Sequence, residues 1–165
     1  MAKERFPVTP AVRVLRREKA EFGEHLYAYQ ERGGTPVAAR ELGVDERSVV
    51  KTLVMEDDQG RPLVVLMHGP LQVSTQRLAR AIGVRSVSPC APERATKHTG
   101  YQVGGISPFG TRAAMPVLME KTILDLPRVY INGGKRGYLL ELDPGEIARI
   151  LQPTVVEVGF LQTDP

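Results

Sequence analysis

The sequence predicts an α+β domain, with a mixed, largely antiparallel sheet flanked by helices, on three observations. Helical and strand-like segments alternate irregularly along the chain. Consecutive strand runs are often joined by turns too short for parallel crossovers. The length, 165 residues, suits one domain with a real core better than two, so residues 1–165 are expected to form a single unit.

The elements follow in order. In "TPAVRVLRREK", Thr9 is placed as an N-cap and Pro10 at the first helical position, with Ala11, Val14 and Leu15 on one face. "EHLYAYQ" reads as a short strand. Thr35 and Pro36 are expected to start a second helix, with Ala38 and Leu42 inward and Gly43 as its stop. "SVVKTLVMEDDQGRPLVVLMHG" holds two β-branched runs around an acidic turn with a glycine, which predicts an antiparallel hairpin. "STQRLARAIG" is a helix from Ser74 to Gly83, and "PERATKHTG" a shorter one ending at Gly100. "AAMPVLMEKTIL", "RVYING" and "YLLELD" are strand-like. Asp143, Pro144 and Glu146 supply an N-cap, a first-turn proline and a capping-box acid for "PGEIARILQ", and "TVVEVGF" is a last strand or extended tail.

Composition excludes several classes. With 42% hydrophobic and 25% charged residues the chain fits neither a disordered nor a collagen-like protein. No apolar run approaches the roughly 20 residues of a membrane helix, and "MAKERFPVTP" lacks a signal-peptide core, so a cytoplasmic protein without membrane partners is expected. A lone cysteine, Cys90, rules out an internal disulfide and a cysteine-rich zinc site. His25, His68 and His98 lack ligand spacing, and no phosphate-binding, dinucleotide or hydrolase-elbow signature is present; neither metal nor cofactor is expected. The net charge of +3 permits a polyanionic partner without requiring one.

Three stretches break the ordinary pattern. In the first predicted strand of the hairpin, Lys51 stands among Val49, Leu53 and Met55, while Thr52 shares the opposite face with Val50 and Val54. Such a lysine either snorkels from an edge or points into a cavity that needs a cation. "TGYQVGGISPFG" packs four glycines into twelve residues. It is either a plain turn or a nest in which the amides of Gly104, Gly105, Ile106 and Ser107 face an anion or oxyanion, with Pro108 ending it. "INGGKRGY", from Ile131 to Tyr138, is either a hairpin with two solvated cations or a pocket wall with a phosphate-facing rim.

Together, "VVKTL", "TGYQVGGISPFG" and "INGGKRG" resemble, in that order, the bacterial YbaK-like proteins, which are similar to the editing domain inserted in bacterial prolyl-tRNA synthetases; the resemblance runs from "TPAVRVL" to "PGEIARIL". It implies an aminoacyl-tRNA deacylase that hydrolyses the ester of mischarged tRNA, with tRNA(Pro) carrying Cys, Ala or another small amino acid as the expected substrate and prolyl-tRNA synthetase as a partner. The alternative is a non-catalytic adaptor that binds aminoacyl-tRNA or a synthetase and keeps the pocket.

By motif, Lys51 matches the family lysine that meets the terminal phosphate or the substrate's polar end, and Gly104, Gly105, Ile106, Ser107 and Pro108 match the loop whose amides surround the scissile carbonyl. Tyr27, Thr52, Asn132, Gly133 and Gly134 are the expected substrate wall. Arg77, Arg80, Lys97, Lys121, Lys135 and Arg136 are the expected contacts to tRNA. Departures from the cysteine-specific members fall at Asn132, in place of a serine, at Leu139, in place of an acid, and near Gly34, in place of an aromatic residue.

Overall fold

The computed structural model describes residues 5–162, so the ends of the expected 1–165 unit lie outside the described residues. In chain order the elements are α1 (Pro10–Arg17), β1 (Gly23–Leu26), α2 (Gly34–Leu42), β2 (Val49–Asp57), β3 (Pro62–His68), β4 (Gln72–Val73), α3 (Thr75–Ile82), β5 (Val87–Pro89), α4 (Pro92–Thr99), β6 (Val117–Glu120), β7 (Val129–Lys135), β8 (Tyr138–Leu142), α5 (Pro144–Leu151), β9 (Thr154–Val156) and β10 (Gly159–Phe160). Eight strands form one mixed sheet in the order β1-β8-β7-β2-β3-β6-β9, with β5 also paired to β2, while β4 and β10 form a separate ladder. The pairs β1–β8, β7–β8, β2–β3 and β2–β5 are antiparallel, and β2–β7, β3–β6 and β6–β9 are parallel. Antiparallel pairs thus lead, as the short turns require.

The alternation of β3 divides the interior. Val64 and Leu66 face a core built with Ala11, Leu15, Phe109, Ile131 and Leu140, whereas Leu63, Val65 and Met67 face another with Leu78, Val87 and Val158. A central strand buried on both faces accounts for its nearly unbroken apolar run.

Local chemistry explains most helix ends. Thr9 Oγ1 accepts from Val12 N and Ser74 caps α3 through Arg77 N; Gly43, Gly83 and Gly100 take the left-handed conformation that ends α2, α3 and α4.

Three expectations are corrected. Helix α2 starts at Gly34, capped by Gly33 without a side-chain bond, because the Thr35 hydroxyl donates to Glu46 Oε2 at 2.8 Å instead of capping. Ala38 and Leu42 do face inward, Leu42 half-buried against the cluster of Ala38, Ala39, Val49 and Leu139. The run ending in "EKTIL" stops as a strand at Glu120 and continues as a 3-10 turn over Lys121–Asp125, which buries Ile123. In α5, Asp143 accepts from Gly145 N at 2.7 Å, but Glu146 pairs with Arg149 and so closes no capping box.

Candidate functional site

The strand order leaves a gap beside β2. Its pairing with β7 covers only Val49–Tyr130 and Val50–Ile131, and its pairing with β5 begins at Met55–Pro89. Cys90 N donates to Val54 O, so even-numbered residues of β2 present their main chain on that side. Thr52 therefore turns its backbone toward an interval where β2 has no ladder partner. The interval is occupied by a cleft of about 600 Å³, lined among others by Tyr27, Tyr29, Lys51, Thr52, Gly104, Ile106, Asn132, Arg136 and Leu139.

Lys51 sits half-buried on this wall and has no ion-pair partner among the described residues. Burial holds its amine below the ordinary value, and the charge of Glu46 opposes that shift only in part. Beside it, Thr52 Oγ1 is buried and makes no hydrogen bond among the described residues. A buried hydroxyl without a partner is costly, which marks Thr52 as a candidate contact for a polar ligand. Tyr27 is held above its usual value by burial first and by Tyr29 second, so its phenol stays protonated and able to donate.

The glycine loop is held over the cleft from several directions. Gly104 adopts φ +94, and a Cβ there would lie 2.5 Å from the Tyr29 hydroxyl; a Cβ on Gly105 would lie 2.7 Å from the main-chain nitrogen of Arg136. Asn132 Nδ2 donates to Gly104 O at 3.3 Å, and Arg136 Nε donates to Val103 O at 2.9 Å. The guanidinium of Arg136 also lies 5.1 Å from the centre of the Tyr29 ring. At the loop's exit the Tyr101 hydroxyl donates to Phe109 O at 2.6 Å, burial having raised that phenol to about 12.

The loop offers fewer donors than its composition implies. Gly105 N donates to Gln102 O at 2.8 Å, which closes the turn; the amides of Gly104, Ile106 and Ser107 have no acceptor among the described residues. Ser107 and Pro108 are buried beneath the loop, outside the cleft lining, and Ser107 Oγ accepts from Phe109 N. Val103, Gly104 and Ile106 are the three loop residues that line the cleft.

Of the expected substrate wall, Tyr27, Thr52 and Asn132 line the cleft, while Gly133 and Gly134 pack outside it. Gly133 lies against Tyr138 and accepts from the Thr9 hydroxyl, and Gly134 lies against Tyr101. Of the expected tRNA contacts, Arg136 alone lines the cleft. Arg77, Arg80, Lys97 and Lys135 are exposed elsewhere, Arg80 beside a separate cavity of about 300 Å³, and Lys121 pairs with Glu157 at 3.4 Å. Sequence reasoning missed Tyr29, Arg32, Thr35 and Ala38, which also line the cleft. Tyr29 carried a usable signal, since Tyr27 and Tyr29 are two apart and share a face in extended chain.

Among the described residues no group of histidines, cysteines or acids is arranged to hold a metal, and no helix is long and apolar enough to cross a membrane.

Comparisons with known proteins bear on the family and the fold. A family model described as "Aminoacyl-tRNA editing domain" matches residues 34–150. The chain is 26% identical over 151 residues to the "Putative Cys-tRNA(Pro)/Cys-tRNA(Cys) deacylase EbsC" of Enterococcus faecalis, covering 91% of this chain and 92% of that one. It is 30% identical over 98 residues to a proline–tRNA ligase of Ligilactobacillus salivarius, covering 59% of this chain but only 17% of the ligase. Among solved structures, a hypothetical protein superposes with a TM-score of 0.84 at 23% identity, covering 92% of this chain and all of that one. Another, described as "a putative trans-editing enzyme for prolyl tRNA synthetase", gives a TM-score of 0.79 at 22% identity, covering 93% of this chain and 99% of that one. At these identities the two structures speak for the fold.

Proposed function

The chain belongs to the aminoacyl-tRNA editing domain family, and from that premise we propose that it is a trans-editing deacylase. It hydrolyses the ester of mischarged tRNA, with tRNA(Pro) bearing Cys, Ala or another small amino acid as its substrate. The observation that carries this reading is the convergence of Lys51, Thr52 and the Gly104–Ile106 loop on one cleft, although they lie about fifty residues apart in the chain.

The chemistry needs little from side chains. Water adds to the acyl carbon, the negative charge passes to the carbonyl oxygen, and the bond to the ribose oxygen breaks, leaving the free amino acid and an unacylated tRNA. The amides of Gly104 and Ile106 serve the oxyanion because they have little side-chain cover and no acceptor of their own. Lys51, kept from an ion pair, holds the terminal phosphate or the polar end of the substrate, and the Thr52 hydroxyl meets the small acyl group. The nucleophilic water is assisted by the vicinal ribose hydroxyl, and positioning supplies much of the acceleration. Buried Ala38 and Leu139 bound the space for the acyl side chain.

The test is a panel of Cys, Ala, Ser, Thr and 2-aminobutyrate esters on tRNA(Pro), and of the natural amino acids on their cognate tRNAs, incubated with purified protein. Release of at least one small amino acid from tRNA(Pro) is expected, and chelators leave the rate unchanged. Tight binding without release would favour the adaptor.

A further inference from the structure

We propose that Arg136 is a positioning residue that aims the Gly104 amide at the reacting carbonyl, rather than a phosphate contact. The inference rests on the deacylase reading above.

The sequence presents Arg136 as a free cation in a glycine turn. In the structure its guanidinium is committed on two sides, donating through Nε to Val103 O at 2.9 Å and lying 5.1 Å from the centre of the Tyr29 ring. Val103 C=O and Gly104 N–H belong to the same planar trans peptide, so they point in opposite directions. Fixing the carbonyl therefore fixes the amide.

The next peptide is held in the same manner. Asn132 Nδ2 takes its carbonyl, Gly104 O, and Gln102 O takes its amide, Gly105 N. Two successive peptide planes are thus locked, and only the first keeps an unused N–H. Gly104 is exposed, and with φ +94 it has no side chain to resist rotation of these planes. Without Arg136 the Val103–Gly104 peptide is free to swing, and the donor loses its heading.

A phosphate contact and a positioning residue leave different kinetic traces. Arg136→Ala and Arg136→Lys are compared with the unaltered protein on the best ester of the tRNA panel, with folding checked by circular dichroism. Lysine keeps the charge but lacks the planar Nε fork. The positioning role predicts that both variants lose about tenfold or more in kcat, with KM within about twofold and an unchanged salt dependence. Tyr29→Leu, which removes the ring beside the guanidinium, loses kcat in the same sense and serves if Arg136→Ala does not fold.

Retained kcat with a raised KM, and a salt slope shallower by about one ion, would identify a phosphate contact and overturn the proposal. Full activity of Arg136→Lys would also overturn it. If the unaltered protein releases no amino acid, the deacylase reading falls and this inference with it; normal release with unchanged variants removes this inference alone.

Discussion

The side-chain amide of Asn132 spans the gap to the carbonyl of Gly104 at 3.3 Å and so ties the β7–β8 turn to the glycine loop. Its other end fixes its orientation. The main-chain nitrogens of Gly134 and Lys135 can only donate, and they lie 2.7 and 3.2 Å from Oδ1.

Asn132→Asp separates these two functions. The carboxylate still accepts from Gly134 and Lys135, but both Nδ2 bonds, to Gly104 O and Lys135 O, are lost. We expect a stability loss of about 1 kcal/mol by denaturant unfolding and a clear fall in kcat. Unchanged kcat would show that the tie does not set the loop's position.

Lys51→Met tests whether the lysine serves function at the expense of stability. Methionine fills similar space without the desolvation that depresses the Lys51 amine. The expected outcome is a Tm no lower than that of the unaltered protein, together with a loss on the order of 100-fold in kcat/KM. A large fall in Tm would instead mark Lys51 as part of the framework.

The pH dependence follows from the same residue. Its folded-state pKa lies below the ordinary 10.5, so the unfolded chain holds this proton more tightly. The contribution of Lys51 to stability is therefore unfavourable while the amine is charged, and improves as pH rises from the folded value toward the unfolded one. With Lys51 in the proposed substrate-holding role, binding runs the other way, because the ammonium is lost over that window. KM for mischarged tRNA is expected to rise with pH before an ordinary lysine would titrate, after subtraction of spontaneous hydrolysis. Lys51→Met should abolish both trends.

Gly105→Ala places a methyl group 2.7 Å from Arg136 N and 2.9 Å from Lys135 C, and neither main-chain atom can rotate away. The loop must lift, at a cost of about 1–3 kcal/mol. We expect deacylation to fall even where thermal melting shows the protein folded. Full activity would mean that the height of the loop is not what the reaction needs.

Glu120→Gln addresses stability away from the cleft. The buried carboxylate accepts from Val158 N at 2.7 Å and Gly159 N at 2.8 Å, joining β6 to the segment leading into β10. An amide must turn its NH2 toward one of these donors. The expected loss is about 2 kcal/mol, with activity per folded molecule retained. A neutral result would place the anchorage of this segment elsewhere.

What the sequence disclosed was local. Thr9, Ser74 and Asp143 each cap the helix expected of them, and the turn between β2 and β3 closes through Asp57, which accepts from Gln59 N and Arg61 N. The clustering of Lys51 with the glycine loop became legible through a motif resemblance. The missing part is long-range: the parallel pairings β2–β7 and β3–β6 leave no alternation or turn chemistry from which to infer them. For the same reason the sequence presents Arg136 as a contact to tRNA, since its partners Val103 and Tyr29 are 33 and 107 positions away.

The unpaired interval along β2 sets the direction in which substrate choice can evolve. A floor made from an inner strand, hydrogen-bonded along its whole far edge to β3, is stiff and can be neither deepened nor tilted without breaking the sheet. Under the proposed function, adaptation to a larger or smaller guest must therefore come through the sides, by trimming or enlarging residues such as Ala38 and Leu139, while the strand beneath stays the same.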